Sequence, residues 1–287
     1  MTAPPNGSSA TAAGEIALGD MTVRRIGFGA MRLTGPGIWG EPEDTGNALG
    51  VLRRALELDV NMIDTADSYG PEVSENLIAE ALHPYPDGVV IATKGGMTRD
   101  GPNSWHRNGR PEHLRKALEG SLKRLRLDAI DLYQLHAPDP DVPFEESVGT
   151  LAELRNEGKV RNVGLSNVNP RELESAEALV PVVSVQNRYN LDKREWERVI
   201  EVCEQKGIAF IPWFPIDAGR LANPGSALDE AASAHGATHA QVALAWLLQH
   251  SPAMLPIPGT SSVAHLEENV AAASIKLSDE EMQALDG

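Results

Sequence analysis

Four side chains that can hold or transfer a proton follow apolar runs in the first half of the chain. They are Asp64, Tyr69, Lys94 and His136. A free tyrosine hydroxyl has a pKa near ~10, and a cationic lysine beside it would stabilise the phenolate and lower that pKa. Asp64 would keep Lys94 charged, because a buried lysine needs an anionic partner. With His136 orienting the substrate, this set is suited to proton transfer to a carbonyl oxygen.

Eight short apolar runs alternate with stretches that have the spacing of amphipathic helices. The runs span residues 25–29, 61–65, 89–93, 130–136, 160–166, 182–187, 208–213 and 254–259. Their brevity and apolar character are typical of buried parallel strands, and 22 to 46 residues separate their starts, which leaves room for crossover helices. The pattern predicts one (β/α)8 TIM barrel, an α/β fold, with a doubly wound sheet as the alternative.

Two further elements and a tail complete the predicted organisation. Residues 15–25 have the pattern of an N-terminal β-hairpin that turns at Gly19-Asp20 and closes the barrel bottom. An extra C-terminal helix is expected to begin at Ser278. Residues 1–14 are rich in Pro, Gly, Ser and Ala and predict a flexible tail, so that residues 15–287 form a single domain.

Polar residues follow nearly every predicted strand. In a parallel barrel the carboxyl ends of all strands meet on one face, where barrel enzymes hold their active sites. Besides the four residues above, these strand ends carry Ser166, Asn167, Gln186, Asn187, Trp213, Gly259 and Thr260. Their convergence favours a catalytic site over a set of unrelated structural roles.

Residues 35–40 match the G-x-G-x-x-G pattern of dinucleotide-binding sheets. That fingerprint must follow its strand directly and open a helix, whereas AMRLT precedes this match and EPED follows it. We therefore interpret the segment as a long first loop that brings Trp39 over the site. Ordinary loop packing is the alternative for Trp39.

Several segments resemble the signatures of the aldo-keto reductase superfamily. The family segments that carry the catalytic Asp, Tyr, Lys and His are similar to NMIDTADSYG, VVIATKGG and DLYQLH. Later family signatures are similar to KVRNVGLSN, VQNRYN and IPGTSSVAHLEENV, so the resemblance runs from about residue 15 to the C-terminus. With AMRLTGPGIWGEP and PWFPI, the chain looks closest to the bacterial pyridoxal reductase branch.

The resemblance implies a nicotinamide cofactor, NADPH by preference. The residues it implies at the nicotinamide are Ser166, Asn167, Gln186 and Trp213. Those it implies at the adenosine and its 2′-phosphate are Gly259, Thr260, Ser261, His265, Glu268 and Asn269. Many members place Lys and Arg at the phosphate where this chain has Gly259 and His265, so NADH is a second candidate. The start of the helix after Ser262 can still offer backbone N–H groups to a phosphate.

The function predicted from these features is reduction of a small, aromatic aldehyde or ketone, with Tyr69 as the proton donor. Pyridoxal is the leading candidate substrate. The predicted pocket is lined by Met31, Trp39, Tyr69, Trp105, His136, Trp213 and Phe214. Two alternatives are a Schiff-base lyase that uses Lys94 as its nucleophile and a non-enzymatic, cofactor-binding regulatory barrel.

Composition restricts the location and the partners. The chain has 25 basic and 41 acidic residues, and its net charge of −16 disfavours nucleic acid and anionic membranes as bulk partners. Cys203 is the only cysteine, no apolar run approaches ~20 residues, and the N-terminus lacks a secretory pattern. We therefore expect a cytoplasmic protein with a small-molecule substrate. His, Asp and Glu are not clustered at ligand spacing, so no metal is expected, and no sequence feature sets an oligomeric state.

Overall fold

The structure is a computed structural model that describes residues 9–216 and 224–286. Its strands, in chain order, are β1 (Glu15–Leu18), β2 (Met21–Arg24), β3 (Phe28–Gly29), β4 (Met62–Asp64), β5 (Val90–Gly95), β6 (Met97–Thr98), β7 (His106–Arg107), β8 (Ile130–Leu135), β9 (Val160–Ser166), β10 (Val182–Gln186) and β11 (Ala209–Phe210). Seven of these form one parallel sheet in the order β3, β4, β5, β8, β9, β10, β11.

Residues 254–259, the eighth predicted strand, close this sheet without forming a regular strand. The Leu255 N–H donates to the Phe210 carbonyl at 2.8 Å on one side, and the Gly27 N–H donates to the Pro256 carbonyl at 2.9 Å on the other. The segment therefore bonds to both edges of the sheet, and the predicted barrel is confirmed. Its ladder is sparse because Pro256 has no N–H to donate.

Helices cover the outside of the barrel. They are α1 (Thr45–Glu57), α2 (Val73–Leu82), α3 (Pro111–Leu125), α4 (Phe144–Asn156), α5 (Pro170–Glu177), α6 (Glu197–Lys206), α7 (Ala227–His235), α8 (His239–His250), α9 (Val263–Ala271) and α10 (Asp279–Asp286). In α3 the residues Leu114, Leu118 and Leu125 share the buried face, as their spacing predicts. The predicted C-terminal helix is confirmed as α10, and Ser278 Oγ accepts the Glu281 N–H in its first turn.

The N-terminal hairpin is confirmed. β1 and β2 are antiparallel, and Leu18 pairs with Met21 across a turn at Gly19-Asp20. Leu18, Met21 and Val23 are buried in the cluster that fills the barrel interior, together with Met62 and Ala92. The hairpin therefore closes the bottom of the barrel, opposite the carboxyl ends of the strands.

The expectation of a flexible tail is wrong for residues 9–14. Ala10–Ala13 form a 3-10 helix, and the buried Ala10 donates its N–H to the Leu58 carbonyl at 2.8 Å. Ser9 Oγ donates to Asp59 at 2.6 Å. These contacts hold the segment against the end of α1, which composition alone could not indicate. The rest of the predicted tail, residues 1–8, lies outside the described residues.

The loop of residues 35–40 is not a dinucleotide fingerprint. The Gly35 N–H donates to the Gly40 carbonyl at 3.0 Å and closes a turn. Helix α1 begins only at Thr45, after Asp44, whose side chain caps it by accepting the Asn47 N–H. The segment thus lacks the direct passage from strand to helix that the fingerprint needs.

The described residues contain neither a helix suited to crossing a membrane nor a group of side chains suited to a metal ion. None of the described helices combines the length and the apolar character needed to cross a membrane. In the same part of the chain, no three His, Cys, Asp or Glu side chains are grouped so that they could hold a metal ion.

Candidate active site

The ends of β4 and β5 bring a carboxylate and an ammonium together. Lys94 Nζ donates to Asp64 Oδ1 at 2.5 Å and to the Thr65 carbonyl at 2.8 Å. Lys94 is fully buried and Asp64 is 2% exposed. Burial lowers the pKa of Lys94, but the charge of Asp64 and the nearby Tyr69 outweigh burial, so the net pKa is raised. Lys94 is therefore an ammonium at neutral pH.

Asp64 is held by amides as well as by Lys94. Its Oδ2 accepts from Gln134 Nε2 at 3.1 Å and from Gln186 Nε2 at 2.9 Å. Gln134, inside β8, was missed in the sequence because it lies within a strand and not at a strand end. Gln134 lies opposite Lys94 in the pairing of β5 with β8. Pairing the two predicted strands in this register could have indicated that Gln134 lies near the site.

Tyr69 lies over this ion pair. Lys94 Nζ is 5.2 Å from the centre of the Tyr69 ring, so its positive charge acts directly on Tyr69. Burial raises the pKa of Tyr69 and Lys94 only partly offsets it, with Asp64 adding to the rise. The predicted net lowering is therefore wrong for the protein alone, because a desolvated phenolate also faces a carboxylate. Tyr69 is therefore a neutral phenol beside a buried cation.

His136 completes the group as a neutral imidazole. Burial, followed by the charges of Lys94 and Arg99, lowers its pKa well below the usual value. Its ring lies 5.8 Å from the Tyr69 ring in an edge-to-face arrangement, and its Nδ1 is 3.4 Å from Ser68 Oγ. A neutral imidazole can donate one ring N–H to a carbonyl oxygen without losing its own proton.

A cavity of about 770 Å³ opens above these residues, a size typical of sites for small ligands. Among the residues lining it are Met31, Asp64, Tyr69, Trp105, His136, Ser166, Asn167, Gln186, Trp213, Phe214 and Gly259. Apart from Lys94, Asn187 and Thr260, the strand-end residues that the sequence singled out therefore share one space. Lys94 lies below it and reaches it only through Tyr69 and Asp64.

The residues implied at the nicotinamide form a continuous wall of this cavity. Ser166 Oγ donates to the Gln186 carbonyl at 2.7 Å and accepts from Asn167 Nδ2 at 3.1 Å. Trp213 Nε1 donates to Asn167 Oδ1 at 3.2 Å, which fixes the indole beside the amide. Gln186 gives an N–H to Asp64, so its Oε1 is available to accept from a carboxamide. This wall fits the amide and ring of a nicotinamide.

A second cavity of about 850 Å³ adjoins the first and suits the other end of a dinucleotide. It is lined by Gly259, Thr260 and Ser261 and shares Gly259 and Arg32 with the catalytic cavity. Ser262 Oγ caps α9 at its mouth by accepting the His265 N–H. The two adjoining cavities therefore offer an extended path from the nicotinamide wall to the start of α9.

Three residues implied at the adenosine are not brought to this path. His265 and Glu268 are exposed on α9, and Asn269 is 5% exposed. Neither cavity is lined by any of the three.

Arg32 was missed in the sequence although it lies where the two cavities meet. A Cβ on Gly259 would lie 2.5 Å from the Gly29 carbonyl oxygen. The backbone therefore has no room for the lysine that many members of the superfamily named in the sequence analysis carry at this position. The Arg32 side chain passes the same point, with Cγ 3.7 Å from that Cβ position. Arg32 is exposed and has no ion pair with any described residue. The feature of the sequence that could have indicated this position is that Arg32 comes three residues after the first predicted strand.

Trp39 does not line the catalytic cavity, so this part of the pocket prediction is wrong. Its neighbour Ile38 lines the cavity instead, together with Asn103 and Met97. The Trp39 ring faces Arg99, whose Cζ is 5.7 Å from the ring centre. Loop packing, the alternative stated for Trp39, is what the structure shows.

Known proteins are similar to this chain over most of its length. An uncharacterized oxidoreductase of Schizosaccharomyces pombe is 54% identical over 99% of this chain and 93% of its own length. Pyridoxine 4-dehydrogenase of Escherichia coli is 45% identical over 94% of this chain and 96% of its own length.

Solved structures match over similar lengths. The glycerol dehydrogenase of Gluconobacter oxydans superposes with a TM-score of 0.86 at 27% identity, over 96% of this chain and 94% of that one. An aldo-keto reductase of Klebsiella pneumoniae in complex with NADPH gives 0.78 at 28% identity, over 92% and 90%. The sequence pattern of the Aldo/keto reductase family matches residues 25–287. The chain belongs to the aldo-keto reductase family.

Proposed function

We propose that this protein uses NADPH to reduce a small aromatic aldehyde to the alcohol, with a pyridoxal-type aldehyde as the leading substrate. The observation that carries the proposal is Tyr69 at the cavity wall beside the buried Lys94–Asp64 pair, with Trp105 and Trp213 lining the same cavity. The identity to E. coli pyridoxine 4-dehydrogenase supports the substrate class. The K. pneumoniae complex supports the cofactor.

The roles of the residues follow from their geometry. NADPH, when bound, would supply the hydride that reduces the carbonyl carbon. Tyr69 gives its proton to the carbonyl oxygen, and Lys94 stabilises the phenolate that remains. His136, being neutral, donates a hydrogen bond to the same oxygen and aims it at Tyr69. Asp64 holds Lys94 charged and in place, so the positive charge exists before the proton moves.

The cofactor would be held at three places along the two cavities. Ser166, Asn167 and Gln186 would bind the carboxamide, and Trp213 would stack on the ring. Thr260, Ser261 and the first N–H groups of α9 would face the adenosine phosphate, with Arg32 supplying the cation.

The Schiff-base alternative is disfavoured by the surroundings of Lys94. A nucleophilic lysine must be neutral and reach the substrate. Here the pKa of Lys94 is raised by Asp64 and Tyr69 despite burial, and the side chain does not line the cavity. The regulatory alternative gains no support, because the proton donor, the cation and their anchor are all in contact. We keep the cytoplasm as the proposed location, supported by the single, buried Cys203.

The test is a panel of initial rates with NADPH and NADH against pyridoxal, a nitrobenzaldehyde and a sugar aldehyde. We expect NADPH to be consumed with both aromatic aldehydes and kcat/KM for the sugar aldehyde to be at least about tenfold lower. Preference for the sugar aldehyde would contradict the substrate class. Borohydride trapping of pyridoxal on Lys94, with no cofactor consumed, would establish the lyase instead.

A further inference from the structure

Arg99 lies immediately after β6, in the loop that follows β5, and its guanidinium is saturated by backbone carbonyls. An arginine has five N–H donors in a rigid fork. The five donors of Arg99 bond to the carbonyls of Ser104 (2.7 Å), Ile38 (2.9 Å), Gly37 (2.9 Å), Ser68 (3.1 Å) and Gly101 (3.3 Å). One half-buried side chain thus uses all its donors within the protein.

These acceptors belong to three different loops around the cavity. Gly37 and Ile38 lie in the loop after β3, and Ser68 lies in the loop after β4, directly before Tyr69. The remaining two lie in the same loop as Arg99. Direct bonds between these loops include the Asn103 N–H to the Gly37 carbonyl at 3.0 Å. Arg99 is therefore the point at which the three loops are joined.

Arg99 also fixes an aromatic wall. Its Cζ lies 3.7 Å from the centre of the Trp105 ring, a close cation–π stack. Trp105 lines the cavity and meets Tyr69 edge-to-face at 6.3 Å and His136 at 6.2 Å. The guanidinium, the indole and the two catalytic rings are thus in one packed series.

The loop after β3 contains a residue in a disfavoured backbone conformation that Arg99 supports. Ile38 lines the cavity with φ of 58°, a left-handed conformation that a β-branched residue adopts only at a cost. Its carbonyl and that of Gly37 both accept from Arg99. The Arg99 guanidinium therefore stabilises a backbone conformation that the Ile38 side chain disfavours.

We propose that Arg99 is a positioning residue that makes the cavity selective for flat aromatic aldehydes, by fixing Ile38 and Trp105 as two of its walls. It acts through these walls and not on the substrate, because no N–H remains to bind a charged substituent. This inference rests on the proposed function, whose substrate class it explains.

The test compares Arg99→Lys with wild type on benzaldehyde and on propanal. Lysine keeps the charge but has three donors on one atom, so it cannot reproduce the fork. We expect KM for benzaldehyde to rise at least about tenfold, since small displacements of positioning groups have large effects, and KM for propanal to change by less than about threefold. Arg107→Lys, an exposed arginine of β7, is the matched control and should change neither.

A double-mutant cycle shows whether Arg99 acts through the indole. Trp105→Leu removes the cation–π stack with Arg99 but leaves Arg99 able to make its five bonds to carbonyl groups. This variant therefore tests the role of the indole even if Arg99→Lys folds poorly. We expect Trp105→Leu to raise KM for benzaldehyde selectively, and the double variant to add much less than the two single effects combined. The affinity for NADPH, measured by fluorescence titration, should stay within about twofold in each folded variant.

Each other outcome has a distinct meaning. Equal loss for benzaldehyde and propanal, or no loss for either, would overturn the positioning role. Selective loss of a phosphorylated aldehyde such as pyridoxal phosphate would overturn it in favour of direct anion binding. If wild type reduces neither aldehyde, the proposed function itself fails, and that result is separate from any effect of Arg99.

Discussion

Lys94 Nζ and Asp64 Oδ1 lie 2.5 Å apart, both side chains are buried, and Lys94 Nζ is 5.2 Å from the centre of the Tyr69 ring. The two residues come from neighbouring parallel strands, so the barrel backbone sets their separation. Removing one partner from a buried ion pair leaves an uncompensated charge, whereas removing both does not.

Asp64→Asn should therefore destabilise the protein by roughly 3–5 kcal/mol, because the buried Lys94 would have to stay charged without its anionic partner or lose its proton. The double variant Asp64→Asn/Lys94→Met should recover a substantial part of this loss while remaining inactive. Denaturant unfolding of the single and double variants measures both free energies. A double variant less stable than Asp64→Asn would show that the pair is not the source of the loss.

Tyr69→Phe should lower kcat by about a hundredfold or more, since the proton donor is lost while the ring and its packing remain. NADPH affinity should change little, because Tyr69 is expected to contact the substrate oxygen. Stopped-flow reduction of an aromatic aldehyde, together with a cofactor titration, measures the two effects. Wild-type turnover in this variant would rule out Tyr69 as the donor.

Aldehyde reduction should vary little from about pH 6 to 9. Burial raises the pKa of Tyr69 above its ordinary value near ~10, so the required acid form persists through this range and is lost only at higher pH. Burial lowers the pKa of His136 well below ~6.5, so the neutral ring also persists. Alcohol oxidation requires the phenolate and should rise with pH. A reduction profile with an inflection near pH 7 would contradict this assignment.

Asp67→Asn should become more stabilising as the pH rises. Burial, followed by the charge of Glu75, raises the pKa of Asp67, although Arg124 opposes this. A carboxyl with a raised folded pKa favours the folded state below its ordinary pKa near ~4, and this contribution is lost as pH rises towards the folded value. Asparagine does not titrate, so the melting temperature of the variant relative to wild type should increase between pH 4 and 7. A difference in melting temperature that stays constant or falls over this range would contradict the prediction.

Arg32→Ala should weaken NADPH binding about tenfold, the scale of one charge-assisted hydrogen bond. The loss should be smaller for NADH, because Arg32 lies beside Gly259 where the resemblance places the 2′-phosphate. Arg32→Lys, which keeps the charge, should recover most of the NADPH affinity. Equal weakening of both cofactors would instead assign Arg32 to the phosphates that they share. Isothermal titration at two salt concentrations separates these cases.

The sequence alone predicts much of the architecture, because parallel strands and their helices have distinct hydrophobic periods. Residues 254–259 show where such prediction stops. Their apolar run correctly places them in the barrel wall, but Pro256 limits the ladder, and this becomes visible only through the bonds to Phe210 and Gly27. In residues 9–14 the composition suggests flexibility, but contacts with the end of α1 hold the segment in place. Here the sequence predicted less structure than is present.

Residue type and order determined the candidate catalytic group, since a strand end fixes which face a side chain reaches and Asp64, Tyr69, Lys94 and His136 lie near or after the carboxyl ends of strands. Tertiary structure alone decided the quantities that depend on packing between distant segments. Desolvation is the largest cause of the raised pKa of Tyr69, although Lys94 acts to lower that pKa. The close approach of the Gly29 backbone excluded a side chain at Gly259 and left Arg32 as the neighbouring cation. The fork of Arg99, with acceptors up to 62 residues away along the chain, exists only because the folded loops meet.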